Sequence, residues 1–411
     1  MKVGLFLLYP IHSGAGTEKY FAQLARALSD AGHEVVVCGS SAQYEAARSI
    51  LAAGRGIARG QGLNIAGANR KRREIGTARV LPIGPLALIA GTRAHSRLRR
   101  ELQSCDVVYC KNEWQDLMTL RWVIGADGIS KVVIGVHTSL EVDRETRGGI
   151  WGRIRDRLYS GRFYRRQVEA CGAVHTCNRA DELSIRGEYG HAAGDKTTTV
   201  PLWLDDEVTE KRSRAASDGR PLGILFAQRL THQKGLDYFA GLIENLSATD
   251  AWPRLRFTIA GSGDYDRLAR DLVERFPDNV SYRGFVGGIE DLYDSHDIVV
   301  VPSRWETFSY VTLEAQGAGL PVLASDIPGP NGVVLDGETG WLVPLGDIEA
   351  MTSVLVDAVK RRESDPDFLT RLGEAARLSV RARFGREKVV AQTLRLLASA
   401  ANGERLATST E

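Results

Sequence analysis

Cysteine is scarce, with five residues in 411, at Cys38, Cys105, Cys110, Cys171 and Cys177. An odd count without C-x-x-C spacing excludes both a disulfide framework and a cysteine-based zinc site. The five read as small buried apolar residues, kept reduced in a cytoplasmic setting. Long apolar runs are also missing. Without a stretch of 18 apolar residues, no helix of this chain is expected to span a membrane. The first ten residues hold one lysine and a short apolar run, and no small-residue cleavage site follows. They read as a buried first strand and not as a secretory leader. No tandem repeat with a period of 20–50 residues is visible, which excludes solenoids and propellers.

What is present is the composition of an ordinary globular chain, with 43% hydrophobic and 25% charged residues. At about 100–200 residues per domain, the length predicts two domains. The small net charge of +2 conceals a split: residues 1–200 carry +10 and residues 201–411 carry −8. The first half is therefore expected to meet something anionic.

Short β-rich apolar runs alternate with amphipathic segments along the chain. Residues 3–9, 34–39, 107–110, 132–136 and 174–177 read as strands, with a helix over 20–30 that Gly32 stops. Residues 201–221 are rich in charge and small side chains and read as a linker. The pattern then restarts, with strands over 222–227, 255–260, 280–282, 298–301, 321–324 and 340–343. Helical patterns separate them, and a last one over 386–402 is long enough to pack across both domains. Such alternation predicts an α/β protein of two Rossmann-like doubly wound domains, 1–200 and 222–385. Ligands in such folds bind at the carboxyl ends of strands, so two domains in series predict a cleft between them. Residues 55–73, rich in Gly, Arg and Lys, read as a loop.

Three stretches carry the chemistry. Ser13-Gly14-Ala15-Gly16-Thr17-Glu18 lies between the first strand and the first helix. Two readings fit it: backbone N–H groups approaching a phosphate at a helix N-terminus, or a tight strand–helix turn. It is not a dinucleotide fingerprint, because the third glycine would fall at Lys19. The second stretch, Gln228 to Gly235, puts Arg229 and Lys234 at a strand's carboxyl end. There they form either a solvated basic loop or a charge that neutralises a leaving diphosphate. The third, Pro302 to Ala315, carries Glu306 in a loop and Glu314 inside a helix, among Leu313, Ala315 and Ala318. A carboxylate in that apolar setting needs hydrogen-bond donors, and ribose hydroxyls would supply them. A cap and an internal salt bridge account for either glutamate alone but poorly for the pair.

Taken together, these stretches resemble the GT-B fold glycosyltransferases of family 4, a retaining group. The matching pieces are Gly14 to Glu18, Gly32-His33-Glu34-Val35, Arg229-Leu230 through Lys234-Gly235, Gly261-Ser262-Gly263, the Glu306/Glu314 pair and Gly340-Trp341-Leu342-Val343. They span nearly the whole chain in family order. The resemblance implies two facing Rossmann-like domains and a nucleotide-sugar donor, with UDP as the expected nucleotide. It implies that Arg229 and Lys234 bind the donor diphosphate, Glu314 the ribose and Glu306 the sugar. Gly14 and Gly16 would approach the diphosphate from the other domain. Gly261, Phe308 and Ser309 fall in the donor-binding stretches. It also implies that His137, at the end of strand 132–136, contacts the sugar near the reaction centre. A lone histidine is otherwise more often structural.

Three positions depart from the family pattern. Ser309 stands where glycine is usual, residues 329–334 lack the usual glutamate, and the region of Lys111-Asn112 lacks the usual histidine. Asp264-x-Asp266 matches a metal-binding D-x-D, but its place at a helix start favours a cap. No cofactor is expected, and the cationic pair would replace a metal.

The implied activity is transfer of a hexose-type sugar to a glycan or lipid-linked acceptor in cell-envelope or exopolysaccharide synthesis. A nucleotide-sugar epimerase, a phosphorylase and a non-catalytic binding protein are the alternatives on the same plan. Residues 144–166 interleave aromatics with arginines, among them Trp151, Arg153, Arg155, Arg157, Tyr159, Phe163, Arg165 and Arg166. They fit a helix lying on an anionic membrane face and equally a surface helix packed on its own domain. No recognition fold accompanies the charge, so nucleic acid is not an expected partner.

Overall fold

The computed structural model describes residues 1–7, 16–39, 74–75, 78–82, 90–137, 162–205 and 219–404. Gly14, the loop over 55–73 and residues 144–161 lie outside that set. Contacts divide the chain into two compact units, Met1–Val200 with Val390–Glu411, and Pro201–Val389.

The first unit is built on strands β1 (Lys2–Leu7), β2 (Glu34–Gly39), β3 (Glu74–Ile75), β4 (Ala78–Pro82), β5 (Val107–Lys111), β6 (Val132–Val136), β7 (Ala173–Thr176) and β8 (Thr197–Thr199). They lie in the order β3-β4-β2-β1-β5-β6-β7-β8. Every neighbouring pair is parallel except β3 with β4. β5 and β6 are buried along their full length, as parallel strands covered on both faces are. The helix Gly16–Asp30 follows β1 and buries Tyr20, Phe21, Leu24, Ala25 and Leu28, the face that its 3.6-residue period predicts. Gly32, at φ 79°, then turns the chain into β2. Because β2 pairs on one side of β1 and β5 on the other, the carboxyl ends of β1 and β5 flank a topological switch point.

The second unit carries β9 (Leu222–Ala227), β10 (Leu255–Ala260), β11 (Val280–Tyr282), β12 (Ile298–Val301), β13 (Val322–Ser325) and β14 (Gly340–Val343), ordered β11-β10-β9-β12-β13-β14 and parallel throughout. Its switch point lies between β9 and β12, where Leu225 is registered with Val299. The helix Leu236–Ser247 buries Leu236, Phe239, Leu242, Ile243 and Leu246 against this sheet's core. Each such side chain contributes roughly 1.5–3 kcal/mol of hydrophobic stabilisation.

Of the stretch read as a linker, residues 202–204 are packed. Leu202, Trp203 and Leu204 are buried, and the Leu204 N–H donates to the Phe384 carbonyl at 3.2 Å. Residues 206–218 lie outside the described set. The final helix runs over Arg386–Asn402, and the division between the units falls inside it, after Val389. All five cysteines are free and buried. Of the arginine–aromatic segment, the described part is the start of the helix Arg162–Ala170. There Tyr164 is buried and donates to the Asn112 carbonyl, while Arg165 is exposed. Among the described residues, no helix is long and apolar enough to cross a membrane.

Candidate functional site

Two loops meet at the carboxyl ends of β9 and β12. The first runs from Gln228 through a 3-10 turn, His232–Lys234, to Gly235. The second runs from Pro302 to Ser309, where the helix Tyr310–Gly317 begins. They approach so closely that a Cβ on Gly235 would lie 2.0 Å from the Pro302 carbonyl oxygen. Gly235 also has φ 71°, so glycine is required on both counts. Polar bonds stitch the loops together. The Arg304 N–H donates to the Gln233 carbonyl at 2.9 Å, and Gln233 Nε2 donates to the Trp305 carbonyl at 3.1 Å. The Arg304 guanidinium forks onto the Asp237 carboxylate and stacks 3.9 Å from the Tyr238 ring centroid. Burial pushes the Asp237 carboxyl up, but its bonds from Arg304 outweigh this and hold it below its usual range.

Lys234 Nζ donates to Glu306 Oε1, and both side chains are largely buried. Ser303 Oγ donates to the same carboxylate oxygen at 3.0 Å and lies 3.2 Å from Gln228 Oε1. Glu306 is thus a buried anion satisfied by a cation and a hydroxyl, as a buried carboxylate must be. Arg229 is exposed beside them and has no ion pair among the described residues. Lys234 and Glu306, to which the resemblance gave separate roles, are therefore direct partners. Arg229 is not part of that pair.

Glu314 lies one turn into its helix and is half-buried. The Tyr293 hydroxyl donates to Glu314 Oε2 at 3.3 Å. Burial, followed by the neighbouring Glu314 charge, raises the Tyr293 phenol well above its ordinary value, so it stays a donor. Ser309 has φ 74°, the only positive value outside glycine among the described residues. Its Oγ accepts from the Thr312 N–H at 3.4 Å and from the Thr312 hydroxyl at 2.9 Å, capping the helix. Phe308 is buried with its ring edge-on to Phe384 at 5.5 Å. Gly261 is needed for packing: a Cβ there would lie 1.9 Å from the Gln228 carbonyl oxygen. Asp266 Oδ1 accepts from the Gly263 N–H at 2.8 Å, the behaviour of a carboxylate at a helix start.

In the first unit, Gly16 opens the helix that follows β1, and Gly14 lies outside the described residues. His137 ends β6, half-buried, with Nε2 2.9 Å from the Tyr109 hydroxyl. Burial, and then the neighbouring His175, hold its imidazole well below the ordinary histidine value, so it is uncharged at neutral pH.

The family description "Glycosyl transferases group 1" matches residues 221–361, and "Glycosyltransferase Family 4" matches residues 14–208. The chain belongs to the group 1, family 4 glycosyltransferases. Among curated proteins it is 33% identical over 175 residues to an alpha-D-kanosaminyltransferase of Streptomyces kanamyceticus, covering 41% of this chain and 42% of that protein. It is 26% identical over 420 residues to a phosphatidyl-myo-inositol mannosyltransferase of Mycolicibacterium smegmatis, covering 96% and 93%. With the first four curated relatives, the matched stretch is between 29% and 42% of the relative's length. The solved structure of Anabaena Alr3699/HepE in complex with UDP superposes with a TM-score of 0.72 at 16% identity, covering 97% of this chain and 100% of that one. The fold is the two-domain α/β plan of the GT-B glycosyltransferases.

Arg229, Lys234, Gly261, Glu306, Phe308, Ser309 and Glu314 all lie in the second unit, and His137 and Gly16 in the first. Gln228 stood in the second stretch without a role, and Tyr293 and Tyr109 were not singled out in the sequence. The signal available for Tyr293 was a hydroxyl on the apolar side of a short helix that precedes β12. For Tyr109 it was a tyrosine inside a strand otherwise made for burial.

Proposed function

We propose that this glycosyltransferase moves a hexose-type sugar from a UDP-sugar onto a glycan or lipid-linked acceptor, with retention at the anomeric carbon. The observation that carries the reading is the meeting of Lys234 and Glu306 at the β9/β12 switch point, with Arg229 exposed beside them. Charge accumulates on the diphosphate as the glycosidic bond breaks. Arg229 and Lys234 stabilise that charge, most strongly in the transition state. Glu306, released from Lys234, accepts hydrogen bonds from the sugar hydroxyls, and Glu314 accepts from the ribose. His137 meets the sugar uncharged. The reading draws support from Alr3699/HepE, whose structures include complexes with UDP and with UDP-glucose.

With Arg229 and Lys234 in this role the reaction needs no divalent metal, and activity is expected to survive EDTA. Loss with EDTA that Mg²⁺ or Mn²⁺ restores would return Asp264 and Asp266 to consideration. The basic first half and the likeness to a phosphatidyl-myo-inositol mannosyltransferase favour an acceptor on an anionic membrane face. Co-sedimentation with anionic vesicles that reverses as salt rises checks this, and a protein that ignores them at low salt has a soluble acceptor.

The deciding experiment incubates the purified chain with a panel of labelled nucleotide sugars and acceptor extracts. Thermal shift finds the donor first, since a ligand at 100 times its Kd adds roughly 2.7 kcal/mol to stability. UDP release with a product of retained configuration is the expected result. An epimerised nucleotide sugar, or binding without turnover, overturns the reading.

A further inference from the structure

A second layer of polar groups lies behind the Lys234–Glu306 pair. Gln228 is the first residue after β9 and Ser303 the second after β12, and the pairing of these two strands brings them together. The Gln228 main chain is pinned. Its N–H donates to the Ala260 carbonyl at 3.1 Å, and its own carbonyl lies where a Cβ on Gly261 would come within 1.9 Å. Gln228, Ser303 and Glu306 are all at least nine-tenths buried, at 6%, 0% and 9% exposure. The Ser303 hydroxyl lies 3.0 Å from Glu306 Oε1 and 3.2 Å from Gln228 Oε1. Glu306 Oε1 also takes the Lys234 ammonium, whereas Oε2 takes no bond among the described residues and is not occluded. Gln228 Nε2 is occluded and has no partner among them.

Proton counting orders this group. A hydroxyl carries one proton, so Ser303 can serve only one of the two oxygens that it meets. The carboxylate is charged and nearer, and takes it. Gln228 would then hold its carbonyl against an oxygen with no proton left to share, and its NH2 would stay buried and unpaired, a cost at both ends of one amide. A half-turn of the amide exchanges its oxygen and nitrogen without changing its shape. Nε2 then donates to a lone pair of Ser303 Oγ, and the bonds run in one direction, from Gln228 to Ser303 to Glu306. In a chain of that kind each bond polarises and strengthens the next.

We propose that Gln228 is a positioning residue for Glu306: its amide donates to Ser303, which commits the Ser303 proton to Glu306 Oε1 and leaves Oε2 as the oxygen that receives the sugar. The inference rests on the reading of Glu306 as a sugar contact. It adds to that reading which oxygen acts, and what holds the other. Lys234 cannot be the holder throughout, because in the same reading it turns to the diphosphate. A buried carboxylate that gives up its cation depends on the donors that remain. The relay supplies a neutral donor that does not move with the phosphate, and it hangs from the pinned end of a strand, the rigid support that a binding contact requires.

The test begins without substrate. The full chain is labelled with 15N-glutamine, and the side-chain NH2 of Gln228 is assigned by its loss in Gln228→Met. One of its protons is expected at the low field of a hydrogen bond, moving upfield in Ser303→Ala. An NH2 pair that does not respond to Ser303→Ala overturns the inference. Ligands follow: UDP binding is titrated, and UDP release is measured from UDP-glucose, with which the structure of Alr3699/HepE has been solved. Losing a group that orients a ligating residue costs about 10–100-fold in metal sites, and Gln228→Met is expected to lose that much kcat with the UDP Kd within about twofold, since Arg229 and Lys234 still hold the diphosphate. Ser303→Ala should lose at least as much. Adding Gln228→Met to it should cost nothing further, because Gln228 acts through Ser303. Loosened packing would instead weaken UDP binding too, and its effects would add in the double variant. Either of those results overturns the positioning role. A wild type that shows the bonded amide and binds UDP, but releases none from any nucleotide sugar, defeats the glycosyl-transfer reading instead.

Discussion

The two units solve the same problem with opposite means. In the second, the carboxyl ends of β9 and β12 carry formal charges that pair: Lys234 with Glu306, and Arg304 with Asp237. In the first, the ends of β5, β6 and β7 carry Tyr109, His137 and His175, which burial holds uncharged. Yet the charge totals run the other way, +10 in residues 1–200 and −8 in residues 201–411. Net charge is a statement about the surface field, and a site is set by the few groups aimed into it. In the proposed function the cations of the acidic half meet the leaving diphosphate and the neutral rings of the basic half meet the sugar.

The sharpest way to break that comparison is to remove the cations. Lys234→Ala and Arg229→Ala are each expected to lower kcat by about 10²–10³-fold and to raise donor KM by much less, the scale of lost electrostatic stabilisers. Their stabilities should differ. Lys234→Ala leaves Glu306 buried beside only Ser303, and breaking such a pair costs roughly 3–5 kcal/mol. Arg229 is exposed, so its removal should leave the melting temperature within about a degree or two of wild type. Wild-type kcat in both variants would remove them from the site.

Acid should separate the units. His175 has a folded pKa of about 4 against an ordinary 6.5, so the unfolded chain binds more protons between those values. Its contribution is fully present above pH 6.5 and is lost as pH falls toward 4, about 3 kcal/mol in all. His137 shifts the same way. Asp237 is also depressed, so its contribution is lost only as pH falls below the ordinary carboxylate value of 3.8. Hydrogen exchange at pH 7 and pH 5 should show β5 to β7 losing protection while β9 and β12 keep theirs. Equal loss in both units defeats the expectation, and His175→Asn should flatten the first unit's response.

Much of this was legible before any coordinates. The βα alternation gave all six strands of the second sheet and five of the first sheet's eight, missing β3, β4 and β8, and the Glu306/Glu314 spacing with Arg229 and Lys234 marked the second unit's switch point. What could not be read was contact across distance. Lys234 and Glu306 are 72 residues apart, and nothing local says that one neutralises the other. Tyr109 reaches His175 over 66 residues, only because the strand between them carries Gly135. The packing need for Gly261 was not legible either: a side chain there would meet the Gln228 carbonyl, a neighbour 33 residues away. The buried anchors Leu202, Trp203 and Leu204 were hidden at the edge of a charged stretch, where three apolar residues make no periodic signal.

A smaller effect tests how the second unit holds the donor. Glu314 accepts from Tyr293 and, in the proposal, from ribose. Glu314→Gln keeps its size and an acceptor oxygen but loses the charge. A hydrogen bond to a charged group is worth about 1.5–3 kcal/mol, so donor Kd should weaken roughly 10-fold or more. Isothermal titration with UDP measures this, and an unchanged Kd would release Glu314 from the donor site.

The smallest expected effect concerns Ser309. Positive φ in the first unit's described residues occurs only at glycines, such as Gly32 and Gly125, whereas the second unit places a serine there. An L-residue in that region costs about 1–2 kcal/mol of backbone energy. The serine offsets part of it by capping the helix Tyr310–Gly317 through Thr312. Ser309→Gly removes the strain and loses the cap, which glycine replaces at a cost of only a few tenths of a kcal/mol. It also adds about 0.5–1 kcal/mol of unfolded-chain freedom. The balance is a gain of between zero and about 1 kcal/mol. Ser309→Ala keeps the strain, loses the cap and leaves the buried Thr312 hydroxyl without that acceptor, a loss of about 1 kcal/mol. Thermal melting should therefore order the three as Gly, Ser, Ala from most to least stable. An alanine variant as stable as wild type would show that the cap contributes nothing. A glycine variant clearly less stable than wild type would show that the serine is held there by its hydrogen bonds and not in spite of its backbone.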